Sequence, residues 1–569
     1  MRAAGARRIL AAVVAVALVG APMVALAQGG ANRYLNHDEL TTALRGLVSR
    51  HGTLAELSSL TRTDAGRDVW LLTLGRRQGG ADPDSRSALL IVANLEANHL
   101  IGSATALATA EHLLTSYGRD AGITRLLDEH TVYLVPRANP DGAELVWSMA
   151  GYEIPYKPVA SDPSKGGMNV RELGVDLNGD GLVTLMRVPD PAGTLMADPA
   201  EPRLMREANR ARAERGRYRV MVEGIDPKNV EAYVAAGTDG VNLNRNFQHE
   251  YLYFQPHVGP HMVSEVESRA LVDFAFDHPN IAAVLTFSAF DNLRTPPPAD
   301  RRVPPGVTGN PPTVPTNIQP QDRPYFEFVS TRFQEMTSLR GAGADNEAGS
   351  FPQFVYYQLG LPSFTTPVWT LPPPEAGGRA GGPGGAGGAA SRDARWLAHF
   401  AASNIDAFVD WTPARHPTLG DVEVGGFEPN ARVNPPPAEI AALAASHAGF
   451  AAWLGQQLPK VEVVETTVEP RGEEVFLVTA TVANEGYFPT QLQMGGRIQS
   501  NRPITIRLMP STGMTVLSGN IQQQIPRLDG MGGRRTFTWL VQAAPGTSTT
   551  LELFAERAGG LMSTPITLR

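Results

Sequence analysis

Asp176, Asn178 and Asp180 stand at alternate positions in Asp176-Leu177-Asn178-Gly179-Asp180-Gly181-Leu182-Val183-Thr184, with a glycine directly after the third. Oxygen-bearing residues two apart around a sharp turn resemble the first half of a calcium-binding loop, to which Thr184 adds a further oxygen. Position twelve is Arg187 rather than glutamate, so a bidentate ligand has to come from elsewhere; a metal-free Asx-rich turn explains the same residues. A second pair, Glu96 and His99, lies three apart directly after an apolar run and at the start of a helical pattern. Both residue types can bind zinc. The alternative is a polar pair exposed at a helix start, where glutamate sits well beside the positive end of the helix dipole.

The elements around these residues alternate. Val69 to Leu74, Ala88 to Ala93 and Val132 to Val135 read as strands, Gly102 to Leu114 has helical periodicity, and Asn139-Pro140-Asp141-Gly142 is a turn. Strand and helix in alternation predict an α/β domain with a largely parallel sheet, whose ligands sit at the carboxyl ends of strands. Residues 295–324 are dense in Pro and read as a surface loop. Residues 372–391, almost all Gly, Ala and Pro, cannot bury enough apolar surface to fold and read as a disordered loop. A short helix is predicted near Arg395 to Phe408. A Pro-rich connection from Thr412 leads into a helix at about Ala438 to Leu458. Beyond Lys460 short alternating strands, among them Glu474 to Val482, Ile504 to Leu508 and Thr536 to Val541, predict a β-sandwich of about 100 residues. The expected division is 1–27 leader, 32–411 first domain with an insertion at about 174–238, 412–459 linker with helix, and 460–569 sandwich.

Arg2, Arg7 and Arg8 precede an apolar run from Ile9 to about Val24 and the small-residue site Ala25-Leu26-Ala27, which reads as a cleavable export signal. The expected location is periplasmic or secreted, with no membrane anchor after cleavage. Among 569 residues there is no Cys, so neither disulfides nor thiol-linked lipid contribute. A net charge of −8 without basic clusters argues against nucleic acid.

Four segments in order carry a resemblance to the zinc carboxypeptidase family, the superfamily of carboxypeptidase A, from about Tyr34 to Asp410. Thr63-Asp64-Ala65-Gly66-Arg67-Asp68-Val69-Trp70 resembles its early Gly-Arg strand entry, and Pro136 to Gly142 its Asn-Pro-Asp-Gly turn. Gly240-Val241-Asn242-Leu243-Asn244-Arg245-Asn246-Phe247 resembles its Asp-Leu-Asn-Arg-Asn-Phe motif with Asn242 for Asp, and Ser264-Glu265-Val266-Glu267 a helix start. The resemblance implies a carboxypeptidase-like mixed sheet flanked by helices, and zinc whose bound water is deprotonated by a nearby Glu. Family chemistry then departs. Glu96 falls where the family has His, and His99 where it has Glu. Ser288 falls at the third ligand, with Asp291, His257 and His261 as nearby candidates to replace it. Pro367 stands at the general base, a loss expected to cost at least about 10²- to 10⁴-fold. No Tyr lies in 341–347, where the family has one over the substrate.

The substrate end of the resemblance survives. Asn244 and Arg245 match the pair that grips a peptide's C-terminal carboxylate, which a planar guanidinium binds through two parallel hydrogen bonds. Arg171 is a looser match to the arginine that polarises the scissile carbonyl, and both arginines have a structural ion-pair alternative. The expected function is a catalytically impaired homologue that binds peptide C-termini or cell-wall peptides. The alternatives are an active carboxypeptidase with rearranged zinc ligands, Glu96 and His99 among them, and a scaffold acting through its sandwich.

Overall fold

Ala88-Leu89-Leu90-Ile91-Val92-Ala93 carries no polar side chain, which suits a strand covered on both faces. The computed structural model describes residues 33–77, 82–148, 153–157, 174–226, 240–299, 315–341, 348–372 and 388–569. In it this run is a fully buried strand, one of six in a mixed sheet. The strands are β1 (Ala55–Arg62), β2 (Asp68–Leu74), β3 (Ala88–Ala93), β4 (Thr131–Val135), β5 (Ile281–Phe287) and β6 (Ser363–Thr366). Their order is β1-β2-β4-β3-β5-β6. The pairs β1/β2 and β2/β4 are antiparallel, whereas β4, β3, β5 and β6 run parallel. Ala93 is level with Phe287, and Phe287 with Thr366. That register brings together the segments leaving β3, β5 and β6, which carry Glu96 and His99, Ser288, and Pro367.

The helix Leu100–Ser116 follows β3 and is apolar on nearly all sides, so it needs cover on its outer face as well. Pro437–Gly455 supplies that cover, burying Ile440, Phe450, Ala451 and Leu454 in the same core as Leu107 and Leu114. The sequence pattern predicts this helix within a linker; the structure instead packs it as an outer layer on the helix Leu100–Ser116. The Pro-rich connection is likewise structured. Phe408–His416 and Gly420–Phe427 form an antiparallel pair, and the second of these pairs with Leu185–Pro189 from the insertion. Tyr218–Val222, Leu195–Ala197 and Met205–Glu207 complete a second six-stranded sheet. Pro413 is tolerated because its strand is an edge, with a partner on one side only.

From Val461 onward two four-stranded antiparallel sheets face one another. Ser548–Ala555 alternates buried and outward residues, as Val475–Asn484 does over its first half, and Val478, Ile506, Trp539 and Leu553 meet between the sheets. The sandwich is hooked to the first part by Asp322, whose carboxylate accepts the backbone N–H groups of Gln493 and Met494 at 2.6 and 3.1 Å and the Tyr356 hydroxyl at 2.9 Å. Residues 1–32, 158–173, 227–239, 300–314, 342–347 and 373–387 lie outside the described residues. With them lie the expected leader, Arg171, the position of the missing tyrosine and most of the Gly-rich run.

Candidate functional site

The chain leaves β3 through Asn94, whose φ of 59° is a left-handed conformation that asparagine tolerates better than most residues. Its Nδ2 donates to the carbonyls of Glu96, Ala97 and His99 at 2.9, 3.1 and 3.3 Å, coiling loop 94–99 around one amide. The Asn-Pro-Asp-Gly segment, expected as a turn, instead opens the helix Pro140–Ser148 and backs this loop. Ala138 and Asn139 donate their N–H groups to Ala93 and Asn94, and Asn139 Nδ2 donates to Leu95 O at 3.3 Å. Asp141, in the first turn of that helix, accepts from Thr63 Oγ1 at 2.8 Å, Ala65 N at 3.2 Å and Arg67 Nη1 at 2.9 Å. Two segments picked out in the sequence therefore form one anchor beneath the loop.

Glu96 and His99 are not an exposed helix start: their exposures are 3% and 1%. Glu96 Oε1 accepts from Asn244 Nδ2 at 2.7 Å. His99 Nε2 lies 3.0 Å from the carbonyl oxygen of Pro367, which only accepts, so this nitrogen carries the proton and donates. The ring sits over Gly102, where a Cβ would come within 2.6 Å of Nδ1. Burial pushes the His99 pKa down to about 4 against the raising effect of nearby backbone carbonyls, so the ring is neutral near pH 7.

Pro367 also accepts the Trp369 N–H at 2.6 Å, which closes a three-residue turn around Val368 at a φ of 63°. A β-branched residue there is strained and persists only when its surroundings fix it. Val368 is fully buried, and Trp369 packs on Trp396 while donating Nε1–H to Ala431 O at 3.3 Å. Where the resemblance expects a carboxylate, this strand end presents a backbone carbonyl to His99.

At the end of β5, Ser288 is buried and shares a hydrogen bond with Thr365 Oγ1 at 2.9 Å. None of its proposed substitutes is aimed at a common point. Asp291 caps its own turn, accepting from the N–H groups of Leu293 and Arg294 and from Arg294 Nε. His257 stacks on Tyr156 with ring centroids 4.3 Å apart, and His261 is an exposed ring facing its neighbour's carbonyl, Met262 O.

The expected substrate pair divides. Asn244 is fully buried, with Nδ2 given to Glu96 and Oδ1 accepting the Phe351 N–H at 2.8 Å, so it braces two loops and faces no solvent. Arg245, next in the chain, is half-buried, with Nη1 donating to Pro256 O at 3.3 Å. A cleft of about 480 Å³ lined by Asn292, Pro297, Phe326, Tyr356 and Ser363 lies elsewhere and does not include Arg245 among its walls.

The candidate calcium loop turns its oxygens onto its own backbone. Asp176 accepts from Gly179 and Gly181, Asn178 from Asp180, and Asp180 from Leu182, at 2.6 to 3.1 Å. The missing bidentate carboxylate has a counterpart in Glu223, but its oxygens are taken by Leu177 N, Thr184 N and Thr184 Oγ1. Asp176, Asn178 and Asp180 form an Asx-rich turn, and Thr184 ties it to Glu223.

The sequence profile described as Zinc carboxypeptidase matches residues 40–371, more than half of the 569. The chain belongs to the zinc carboxypeptidase family. Residues 460–564 match a domain family of unknown function. Among curated relatives, carboxypeptidase D of Homo sapiens is 30% identical over 112 residues, 20% of this chain and 8% of that protein. A protein of Talaromyces marneffei described as inactive metallocarboxypeptidase ecm14 is 34% identical over 107 residues, 19% of this chain and 18% of that one. The chain thus spans under a fifth of the length of either relative. Thrombin activatable fibrinolysis inhibitor is a structural neighbour at a TM-score of 0.40 and 12% identity, covering 75% of each chain.

The family's zinc does not fit the residues at its ligand positions. The misfit lies at the third ligand position, a serine whose hydroxyl is shared with Thr365, and at the general base, a proline. His99 gives Nε2–H to Pro367 and keeps a buried, unpartnered Nδ1, so the histidine alone does not exclude a metal. Among the described residues, no three His, Asp or Glu side chains are grouped to hold a metal ion.

Proposed function

We propose that this zinc-carboxypeptidase-family protein is catalytically impaired and binds the free C-terminal carboxylate of peptides, cell-wall peptide stems included, without cutting them. The observation that carries the reading is the His99–Pro367 contact: the end of β6, where the family has a carboxylate, offers His99 only a backbone carbonyl. A base that removes a proton from water has to be a titratable side chain with hydrogen-bond reach, and a proline offers none. A relative described as inactive agrees with this direction. Arg245 supports the binding half, because it keeps a partly exposed guanidinium beside the loop that follows its motif. The leader at residues 1–27 supports export to the periplasm or medium, where such peptides occur.

The test is calorimetric titration of the mature chain with a peptide carrying a free C-terminus and with its C-terminal amide. The free acid binds, and Arg245→Ala weakens it by at least about 30-fold, the low end of what a buried charge-assisted pair loses. Mass spectrometry of the mixture finds the peptide intact. Equal binding of acid and amide, or release of the last residue, contradicts the proposal.

A further inference from the structure

Four non-glycine residues of one loop have left-handed backbones: Glu250, Phe254, His257 and Val263, at φ 52°, 64°, 59° and 54°. Such conformations persist only where neighbours over-determine them, and they cluster at ligand-contacting segments. The neighbours here come from the Asn-Arg-Asn-Phe motif itself. Asn246 Nδ2 reaches Val258 O at 2.7 Å, His261 O at 3.2 Å and Ser264 Oγ at 3.0 Å. Asn242 N–H donates to His257 O and Val263 N–H to Asn246 O, at 2.9 and 2.6 Å. The Tyr251 hydroxyl reaches the carbonyls of Val258 and Gly259.

This braced base pushes three consecutive large apolar side chains outward. Leu252, Tyr253 and Phe254 are 40%, 50% and 98% exposed. Tyr253 stands edge-on to Tyr251 at 4.8 Å and tilted to Phe254 at 6.1 Å, so the tip is an ordered aromatic wall. Exposing contiguous apolar surface on a braced loop gains the free chain nothing, which marks it as a contact surface. Its occupant follows from its position. The loop's Pro256 carbonyl accepts Arg245 Nη1, and Pro256 is two residues from Phe254, at most about 7 Å along the backbone. An extended peptide advances about 3.3–3.6 Å per residue. With its carboxylate at Arg245, its second or third residue from the end comes level with Phe254.

We propose that Tyr253 and Phe254 form a specificity wall, selecting peptides with an apolar or aromatic side chain at the second or third residue from the free C-terminus. The proposal rests on the carboxylate-binding reading of Arg245 and adds a preference that reading does not contain. Packing one such side chain against the wall favours binding by about tenfold.

The experiment titrates the full mature chain with two free-acid peptides identical except for Phe or Gly at the third residue from the end. The wild-type chain prefers the Phe peptide by about tenfold, and a Tyr253→Ser/Phe254→Ser variant with unchanged thermal midpoint brings the ratio close to one. Equal affinities in the wild-type chain, or a ratio that survives the double substitution, overturns the wall while leaving the Arg245 reading intact. Binding of neither peptide, or a Gly-peptide affinity indifferent to Arg245→Ala, sinks the Arg245 reading and the wall with it. A wild-type dimer that the double variant converts to monomer, with the ratio unchanged, assigns the wall to self-association and also overturns the proposal.

Discussion

A Lys157→Ala chain is expected to lose about 3–5 kcal/mol of stability, the usual consequence of stripping one partner from a buried ion cluster. Lys157 is almost wholly buried, with Nζ 2.8 Å from Glu265, 3.0 Å from Glu267 and 3.2 Å from Asp64. Burial alone would lower its pKa, but attraction to Glu267 and Glu265 outweighs that and holds the ammonium charged. Glu267 is equally buried, and burial is also what raises its pKa. Without the lysine its carboxylate is left uncompensated. The cluster joins the β1–β2 turn to the start of the helix Val266–Asp277, while the Lys157 backbone pairs with Val241 at the head of the arginine motif. Urea unfolding measures the loss. The control is Lys157→Met with Glu267→Leu, which removes the buried pair together and is expected to recover most of it. A single variant as stable as the wild-type chain would show that the cluster contributes nothing.

Acid destabilises the protein well above the ordinary carboxylate range. His37, His99, His130 and His447 are each held at a pKa of about 4, chiefly by burial. In the unfolded chain the same groups titrate near 6.5. Because the folded value lies below the unfolded one, their contribution is complete above pH 6.5. It drains as pH falls from 6.5 toward 4, while the unfolded chain takes up protons the folded chain refuses. One such histidine costs up to about 1.4 kcal/mol per pH unit once its unfolded form is charged, and four together cost several. Glu267 and Asp322, raised by burial, act in the opposite sense. The histidine contribution falls most steeply midway between its unfolded and folded values, at about pH 6 to 4.5. Urea midpoints at half-unit steps from pH 7.5 to 4.5 test this. His447→Leu should flatten the slope by about one proton, since this ring is packed between Phe287 and Phe333. A flat profile would mean that these rings take up protons in place.

The β3 strand and its following helix were legible as continuous apolar runs of strand and helix length, and the sandwich by its short alternating strands. The family motifs were legible because they are short and local. The state of the site was not. His99 is fixed by Pro367 and Glu96 by Asn244, partners 268 and 148 residues away, and no local pattern separates a buried polar pair from an exposed one. Val368 and Phe254 adopt backbones that their residue types disfavour, so type pointed away from the turn and from the loop tip. The strand Phe408–His416 was hidden by Pro413, acceptable only because the strand is an edge, a fact that belongs to the sheet. Nothing local marked Lys157, a lone lysine whose three carboxylates come from two distant segments.

If the zinc positions of this family member serve other uses, the metal content of the protein is low. Elemental analysis of the mature chain, produced and dialysed with zinc, should find far less than one zinc per chain, unchanged in a Glu96→Gln/His99→Asn variant. Stoichiometric zinc in the wild-type chain that is lost in this variant would contradict the account and restore a working metallocarboxypeptidase.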